Sequence, residues 1–181
     1  MIETARLILR EPVADDLAWT LAEMNTPMIT RHLGGVRAPE AVAEGFARNL
    51  DGFARTGTGF WTVVLRDGGI NAGKCGVGTI ETGDAPAALR GQLQIGWSLA
   101  ERHWGLGYAE EAARAVLQHA FTQLARDAVF SQTSDSNHAS TRLMSRLGFT
   151  RLHELDYNDP DYPAADNPTT VYRLDRADWA A

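Results

Sequence analysis

The strongest pattern in the chain is a helical alternation of apolar and polar residues from position 109 to position 124. Apolar residues recur there at intervals of three and four, and charged or amide side chains occupy the other face. This spacing predicts an amphipathic helix. A short apolar run at 94–99, rich in residues that favour strands, predicts a buried strand just before it. The segment Arg102-His-Trp-Gly105-Leu-Gly107-Tyr-Ala109 joins the two elements.

Alternation with a period of two, or short apolar runs bounded by turn residues, predict strands elsewhere in the chain. These strands lie at 6–11, 60–65, 74–81, 92–99, 128–133, 151–157 and 169–174. Helical spacing and capping residues predict further helices at 12–24 and 39–55, and another that Ser136 or Asn137 caps and Gly148 ends. Residues 25–35 and 158–168 are predicted to be loops.

The order of these elements predicts the fold class. Three successive strands between 60 and 99 favour an antiparallel meander, and the strand, helix and strand from 92 to 133 favour a crossover with parallel strands. We therefore expect a mixed α/β (α+β) fold with six or seven strands, largely antiparallel, and about four helices. The length of 181 residues favours a single domain over 1–181.

Charge and composition narrow the classes of function. The net charge of −6 argues against general nucleic-acid binding and leaves room for a cationic substrate. No apolar run is long enough to span a membrane and no signal peptide is evident, so the expectation is a soluble, cytoplasmic protein with no membrane partner. One cysteine excludes an internal disulfide, and scattered histidines give no metal-ligand spacing. No G-x-S-x-G elbow supports a hydrolase.

The glycine-containing turn before the long helix is the main candidate for chemistry. Gly105 and Gly107 leave backbone N–H groups uncovered at a helix N-terminus, where the helix dipole favours an anion such as a phosphate. The alternative is a tight turn that needs glycine only for its dihedral angles. No Walker-type loop occurs in the chain, and the third glycine of a dinucleotide fingerprint is missing.

Several motifs in order resemble one family. Arg102-x-x-Gly105-x-Gly107 resembles motif A, [QR]-x-x-G-x-[GA], of the GNAT acyltransferases. Downstream, Asn137-x-x-Ser140 followed by Leu147-Gly-Phe149 resembles the N-x-x-S-x-x-x-x-x-x-L-G-F signature after the fifth strand of that family. Residues 4–10, 171–174 and Trp179 resemble the RimJ/RimL-like branch. Together these matches span nearly the whole chain.

This resemblance implies a GNAT-like fold and acetyl-CoA as co-substrate, with no metal. In the family the fourth and fifth strands form a splayed parallel pair, pantetheine lies between them, and a bulge in the fourth strand frees a backbone N–H. The residues it assigns to the cofactor are Ile95, Trp97, Ser98 and Leu99 on the strand, Arg102, His103, Trp104, Gly105, Leu106, Gly107, Tyr108 and Ala109 around the pyrophosphate, and Asn137 with Ser140 near the pantetheine arm.

The resemblance also implies catalytic candidates. Ser140 stands where RimL-like relatives have a serine that hydrogen-bonds or protonates the coenzyme A sulfur. Other branches use a tyrosine one turn later, where this chain has Met144. Relatives often carry a glutamate base where this chain has Gln94, which accepts no proton at neutral pH. Glu81, acting through water, is the remaining candidate base, its alternative being a solvated acid at a strand end. His32 and His103 are weaker candidates for the base, because single histidines on loops are usually just exposed.

We therefore expect an acetyl-CoA-dependent N-acetyltransferase in which an amine attacks directly in a ternary complex. A peptide or protein α-amine is the favoured acceptor, and a small-molecule amine or antibiotic is an alternative. An acyl-CoA-binding sensor or regulatory module with little turnover is another. A homodimer is left open. Acidic residues from 154 to 166 are expected near the acceptor mouth, where they would attract a cation, unless they belong to a merely solvated loop.

Overall fold

The computed structural model describes residues 1–179 and places eight strands in one mixed sheet. The strands are β1 (Ile2–Glu3), β2 (Leu7–Arg10), β3 (Phe60–Leu65), β4 (Asn71–Thr79), β5 (Leu93–Leu99), β6 (Ala128–Ser134), β7 (Thr150–Arg151) and β8 (Thr169–Asp175). Their order across the sheet is β1-β2-β3-β4-β5-β6-β8-β7. All neighbours are antiparallel except β5 and β6. The predicted mixed fold, with a parallel pair after the meander, is confirmed.

Five α-helices accompany the sheet within the described residues: α1 (Asp16–Trp19), α2 (Pro27–Thr30), α3 (Pro39–Thr56), α4 (Tyr108–Thr122) and α5 (His138–Arg146). A π-helical turn, Thr20–Met24, continues α1. Within residues 1–179 no helix combines the length and the apolar character that a bilayer crossing requires.

The main core lies between α4 and one face of the sheet. The apolar face of α4 buries Ala113, Val116 and Leu117 completely, and strand residues such as Cys75 and Ile95 belong to the same cluster. The helical spacing that predicts α4 is therefore the spacing of its buried positions. This packing fixes β5, α4 and β6 as one unit, because the helix spans the crossover between the two parallel strands.

Several local predictions differ from the structure. The predicted loop at 25–35 contains α2, which is too short to show helical periodicity; Pro27 begins it, and the Thr26 hydroxyl caps it by accepting from Ile29 N. The predicted helix at 12–24 begins only at Asp16, whose buried carboxylate accepts two hydrogen bonds from Arg10. Two-residue β1 is a strand that the hydrophobic pattern missed.

The predicted strand at 151–157 also differs. Thr150–Arg151 pairs with β8, a 3-10 turn, His153–Leu155, follows, and Tyr157 forms a single isolated bridge with Thr169. The carboxylate of Asp156 accepts a hydrogen bond from Val171 N at 3.0 Å. The Asp156 side chain thus supplies the acceptor that a backbone carbonyl of a neighbouring strand would otherwise supply to Val171. An alternating sequence pattern does not reveal such a substitution of side chain for backbone.

Candidate active site

β5 and β6 separate almost as soon as they meet. Their only ladder pair within the described residues joins Gln94 to Phe130. Next to it, Ser131 Oγ donates to Ile95 O at 3.1 Å and Gln132 Nε2 donates to Gln94 Oε1 at 2.8 Å. Beyond these contacts the strands diverge toward their carboxyl ends. The splayed pair that the resemblance implied is present, and the cleft between its strands opens toward the turn before α4.

The strand residues expected to face a cofactor lie along this opening. Ile95 is buried and still accepts a hydrogen bond from Ser131 of β6, while Trp97 and Ser98 are partly exposed and belong to the part of β5 that has left β6. The register between β4 and β5 runs without a shift, so the bulge expected in this strand is not found there. The register shift lies instead between β3 and β4, at Val63/Val64. The backbone edge of β5 is open because the strands splay.

The turn after β5 presents a row of backbone donors. Gly105 has φ +73° and Gly107, the N-cap of α4, has φ +80°. The backbone N–H groups from Gly105 to Ala109 donate to no acceptor in residues 1–179. A Cβ on Gly105 would meet nothing within 4 Å, so the space beside that residue is open, whereas a Cβ on Gly107 would lie 3.3 Å from Arg6 Nη2. Free N–H groups at the start of a helix, with open space before them, suit a phosphate or pyrophosphate.

Arg6 holds this turn from outside, a role that the sequence analysis missed. Its Nη1 donates to Leu106 O at 2.9 Å, and its Nε pairs with Glu111 Oε2 at 2.6 Å. The guanidinium also lies over the Tyr108 ring, 4.7 Å from its centroid. Arg6 therefore joins the first strands to the first turn of α4. The only sequence signal was its place in the segment 4–10, which resembled one branch of the family.

The other side chains of the turn have structural contacts. Arg102 forms an ion pair with Glu23 at the surface. The Trp104 indole donates to Leu99 O at 2.7 Å and thereby occupies one carbonyl at the end of β5. His103 is 8% exposed, so its interpretation as an exposed loop residue is wrong. Burial, and then the charge of Arg102, lower the pKa of the His103 ring, which favours its neutral form.

At the start of α5, Asn137 and Ser140 lie together. Asn137 Oδ1 accepts from Ser140 N at 3.2 Å, so the predicted N-cap is confirmed. The Ser140 side chain is partly exposed, and its hydroxyl has no partner in residues 1–179. Met144, one turn later, is fully buried in the core. Because this chain has Met144 where other branches have a tyrosine, that position offers no hydroxyl. Ser140 is the hydroxyl of α5 nearest to the helix N-terminus.

Opposite α4, the second face of the sheet carries Lys74, the only lysine in the chain. Lys74 lies on β4 directly across from Ser98 of β5, and its Nζ is 5.4 Å from the centroid of the Phe46 ring. Burial lowers its pKa to about 8. Gln94, Ser98 and Lys74 share this face because side chains alternate along paired strands.

A polar cluster that sequence reasoning did not find closes the carboxyl end of β6. His32 Nδ1 lies 2.8 Å from Asp166 Oδ1, and the hydroxyls of Ser134 and Ser136 donate to the same oxygen at 3.1 and 2.7 Å. Burial alone would raise the pKa of Asp166, but the hydrogen bonds from His32 and the two serines outweigh it and lower that pKa. The interpretation of His32 as an exposed loop residue is also wrong, since its side chain is 20% exposed and held in place.

Glu81, the candidate base, lies apart from these groups. It follows the end of β4, where Thr79 pairs with Leu93 at the beginning of β5, and it is exposed. That end of the pair is opposite the end at which β5 leads into the glycine turn. The structure thus brings together the β5 edge, the turn and the start of α5, but not Glu81.

Comparisons with known proteins agree with this arrangement. Residues 6–150 match the acetyltransferase (GNAT) domain. The uncharacterised protein YkkB of Bacillus subtilis is 28% identical over 126 residues, which cover 68% of this chain and 69% of YkkB. An acetyltransferase crystal structure from Agrobacterium tumefaciens is 28% identical with a TM-score of 0.78, covering 97% of this chain and 94% of that one.

Another similar structure was solved with coenzyme A bound. The aminoglycoside acetyltransferase AAC(6')-Ib, solved in complex with coenzyme A, is 20% identical and has a TM-score of 0.75, covering 94% of this chain and 95% of that chain. At that identity the likeness shows the fold alone. The match to the family domain covers most of the sequence and includes both the glycine turn and the start of α5. This chain is therefore a member of the GNAT acetyltransferase family.

Proposed function

We propose that this protein is an acetyl-CoA-dependent N-acetyltransferase of the RimJ/RimL-like branch that acetylates an α-amine by direct attack in a ternary complex. GNAT acetyltransferases use acetyl-CoA. The observation that supports the proposal most is the row of free backbone N–H groups from Gly105 to Ala109, at the open end of the splayed strands. These groups fit the pyrophosphate of coenzyme A without a metal ion.

The remaining roles follow from position. Coenzyme A, when bound, supplies the thioester whose carbonyl carbon the amine attacks. The edge of β5 between Ile95 and Leu99 offers backbone groups along the pantetheine arm, although the carbonyls of Ile95 and Leu99 themselves already accept from Ser131 and Trp104. The free hydroxyl of Ser140 hydrogen-bonds the sulfur and donates a proton as the C–S bond breaks. Glu81 as a base acting through water stays a prediction, as do the single domain, the homodimer and the cytoplasmic location.

An α-amine is the favoured acceptor because it loses its proton more easily than a lysine side chain. An α-amine titrates near ~8 and a lysine near ~10.4, so at neutral pH roughly a tenth of the former and well under a thousandth of the latter is neutral. With Gln94 in place of an acid, the cleft lacks the carboxylate base that a lysine substrate would need most. An α-amine needs less help from a base to become neutral, and it therefore suits this site better than a lysine side chain.

The acceptor side of the cleft is also negatively charged. Asp159 is 7% exposed, and its carboxylate accepts from Asp161 N at 3.0 Å. Burial, followed by the negative charge of Asp159, raises the pKa of Tyr157 to about 12. Tyr157 in turn donates to Gln132 at the point where β5 and β6 separate. Buried negative charge beside this point favours a cationic amine.

A second candidate is an acyl-CoA-binding sensor with the same fold and little turnover. Two observations favour it: Gln94 stands where relatives have an acid, and the buried Met144 provides no hydroxyl. Both functions require the free N–H groups from Gly105 to Ala109, which would bind the pyrophosphate as an anion cradle. They differ only in whether acetyl transfer follows the binding of acetyl-CoA.

The deciding experiment is a thiol-release assay with acetyl-CoA and three amines. These are a lysine-free peptide with a free N-terminus, an N-terminally blocked peptide with one lysine, and kanamycin as a small polyamine. We expect the free N-terminus to be acetylated fastest at pH 7. Faster acetylation of the blocked peptide, or of kanamycin alone, would contradict the α-amine. Binding of acetyl-CoA without transfer to any amine would favour the sensor.

A further inference from the structure

The segment that carries His32 crosses the open end of the splayed strands. Near its start, Ile29 packs in a small cluster with Ala100, the residue after β5, and Thr26 donates to Glu101 at 3.3 Å. At its end, His32 contacts Ser136 and Asp166 beyond the carboxyl end of β6. A Cβ on Gly34 would lie 3.5 Å from Asp161 O, so the loop continues along the 159–166 connection. His32 therefore lies at the mouth of the cleft, between its two walls.

The ring of His32 has a defined orientation. Asp166 Oδ1 accepts three hydrogen bonds from buried or partly buried donors, and an ionised carboxylate can only accept. Nδ1 of His32 therefore carries the proton that lies toward Asp166, and in the neutral ring the lone pair is on Nε2. In residues 1–179 Nε2 has no hydrogen-bond partner. The contacts of Asp166 thus prepare the opposite ring nitrogen to accept a proton.

The cluster is not a Ser–His–Asp relay. In a relay the serine and the carboxylate contact opposite ring nitrogens. Here Ser136 Oγ lies 3.3 Å from Nδ1, the same nitrogen that contacts Asp166. The serine is therefore a partner of the carboxylate, and the free position of the ring is left for another group. The next residue after Ser136 is Asn137, which caps the helix that carries Ser140.

From this placement we propose that His32 Nε2 is the general base of acetyl transfer in place of Glu81, which is exposed at the opposite end of β5, and that Asp166 is the positioning residue of His32. This inference rests on the proposed function. The neutral amine attacks the thioester carbonyl carbon, a C–N bond forms, and the carbonyl electron pair moves to oxygen. Nε2 takes a proton from the attacking nitrogen. When the carbonyl reforms and the C–S bond breaks, sulfur takes its proton from Ser140, and the proton on Nε2 returns to Ser140 through solvent, so the net products are the amide and the thiol.

Three variants test the inference: His32→Gln, Asp166→Asn and the control His153→Gln. His153 is a histidine beside a carboxylate, 3.9 Å from Asp156, but its side chain is 75% exposed and it lies outside the site. Each variant is measured for turnover with saturating acetyl-CoA and the amine that the parent acetylates fastest, and for its dissociation constant for coenzyme A. Nitrogen-15 spectra of the histidine rings report the tautomer of His32 in the parent, which needs no variant to fold.

Loss of a general base costs about 10²–10⁴-fold in rate, so His32→Gln should lose turnover in this range while coenzyme A binds within about twofold of the parent. Asp166→Asn should lose roughly ten- to hundredfold and shift His32 toward the tautomer protonated on Nε2, because an amide can donate to Nδ1. His153→Gln should match the parent.

Two results would overturn the base and leave the proposed function standing: turnover by His32→Gln close to that of the parent, or a parent ring protonated on Nε2 and not on Nδ1. A parent that binds coenzyme A but acetylates no amine would instead contradict the proposed function, and the base with it. Equal losses of turnover and of coenzyme A affinity would show that the His32–Asp166 contact only holds the two loops together.

Discussion

The glycine turn and the Asp166 cluster lie beyond the carboxyl ends of the same two strands, but they are built in opposite ways. The turn is local: residues 105–109 supply its donors from the backbone, and only Arg6 comes from elsewhere. The cluster takes one side chain from the loop after α2, one from the last residue of β6, one from the connection after β6 and one from the segment before β8. A backbone site tolerates many side chains but no obstruction, whereas a side-chain site depends on each residue.

The largest effect should come from obstructing the turn. Gly105→Asp places a carboxylate in front of the free N–H groups, where it occupies the donors and repels a diphosphate. Coenzyme A at ~100 times its dissociation constant should stabilise the parent by about 2.7 kcal/mol and the variant not at all. Thermal unfolding with and without coenzyme A measures both values.

Gly91→Asp is the matched control for that variant. Gly91 also has a positive φ, +83°, with nothing within 4 Å of an added Cβ, but it precedes β5 at the other end of the cleft. The backbone strain is therefore similar and the ligand effect should be that of the parent. If Gly91→Asp also lost the response to coenzyme A, or Gly105→Asp kept it, the turn would not be the cradle.

The next effect should come from a single hydroxyl. Ser140→Ala should reduce turnover by about 10²-fold with little change in coenzyme A affinity, since a proton on sulfur matters mainly as the C–S bond breaks. Ser145→Ala, an exposed serine on the same helix, should leave both unchanged. Steady-state kinetics with calorimetric binding separates the two quantities. Unchanged turnover in Ser140→Ala would remove this residue from the chemistry.

Lys74 extends the comparison to stability, because its side chain is half-buried on the sheet face opposite α4 and belongs to neither site. Its pKa is about 8 in the folded protein, well below the ordinary lysine value of 10.5, so the charged form is disfavoured on folding. Below pH 8 the Lys74 amine is protonated in both the folded and the unfolded state, and the free energy of unfolding is lowered by the full cost of burying the charge. As pH rises from 8 to 10.5 the folded state releases its proton first, and the cost fades.

Lys74→Met should therefore stabilise the protein by about 1–3 kcal/mol at pH 7, and most of the gain should vanish by about pH 10. Urea unfolding at the two pH values measures the difference. A gain that is the same at both would indicate better packing against Phe46 as its cause, not removal of a buried charge.

The smallest effect should come from the helix cap. Asn137→Ala removes the acceptor for Ser140 N and should cost about 1 kcal/mol of unfolding free energy, whereas Asn137→Asp keeps an acceptor and should cost only a few tenths. Chemical denaturation of the two variants measures this difference. Equal losses in both would show that the amide group has a role beyond capping, such as a contact with the cofactor.

Much of the fold could be predicted because its elements are long and strongly patterned. The buried positions of α4 are the positions that its spacing selects, and β3 has the bounds predicted from its short apolar run. The misses are short or side-chain-dependent: α2 has four residues, and Asp156 replaces a strand partner beyond β7. Neither feature has a period that a sequence pattern can show.

For the site, the sequence by itself determined the glycine turn that we propose as the pyrophosphate site, because glycine spacing and a helix start within one continuous segment contain all the geometry that backbone donors need. It also determined the cap and the hydroxyl of α5. The neighbours of His32 were decided only by tertiary structure. His32 and Asp166 are 134 positions apart in the chain. Whether a loop histidine is exposed or held against a buried carboxylate therefore depends on the folding of every element between the two residues.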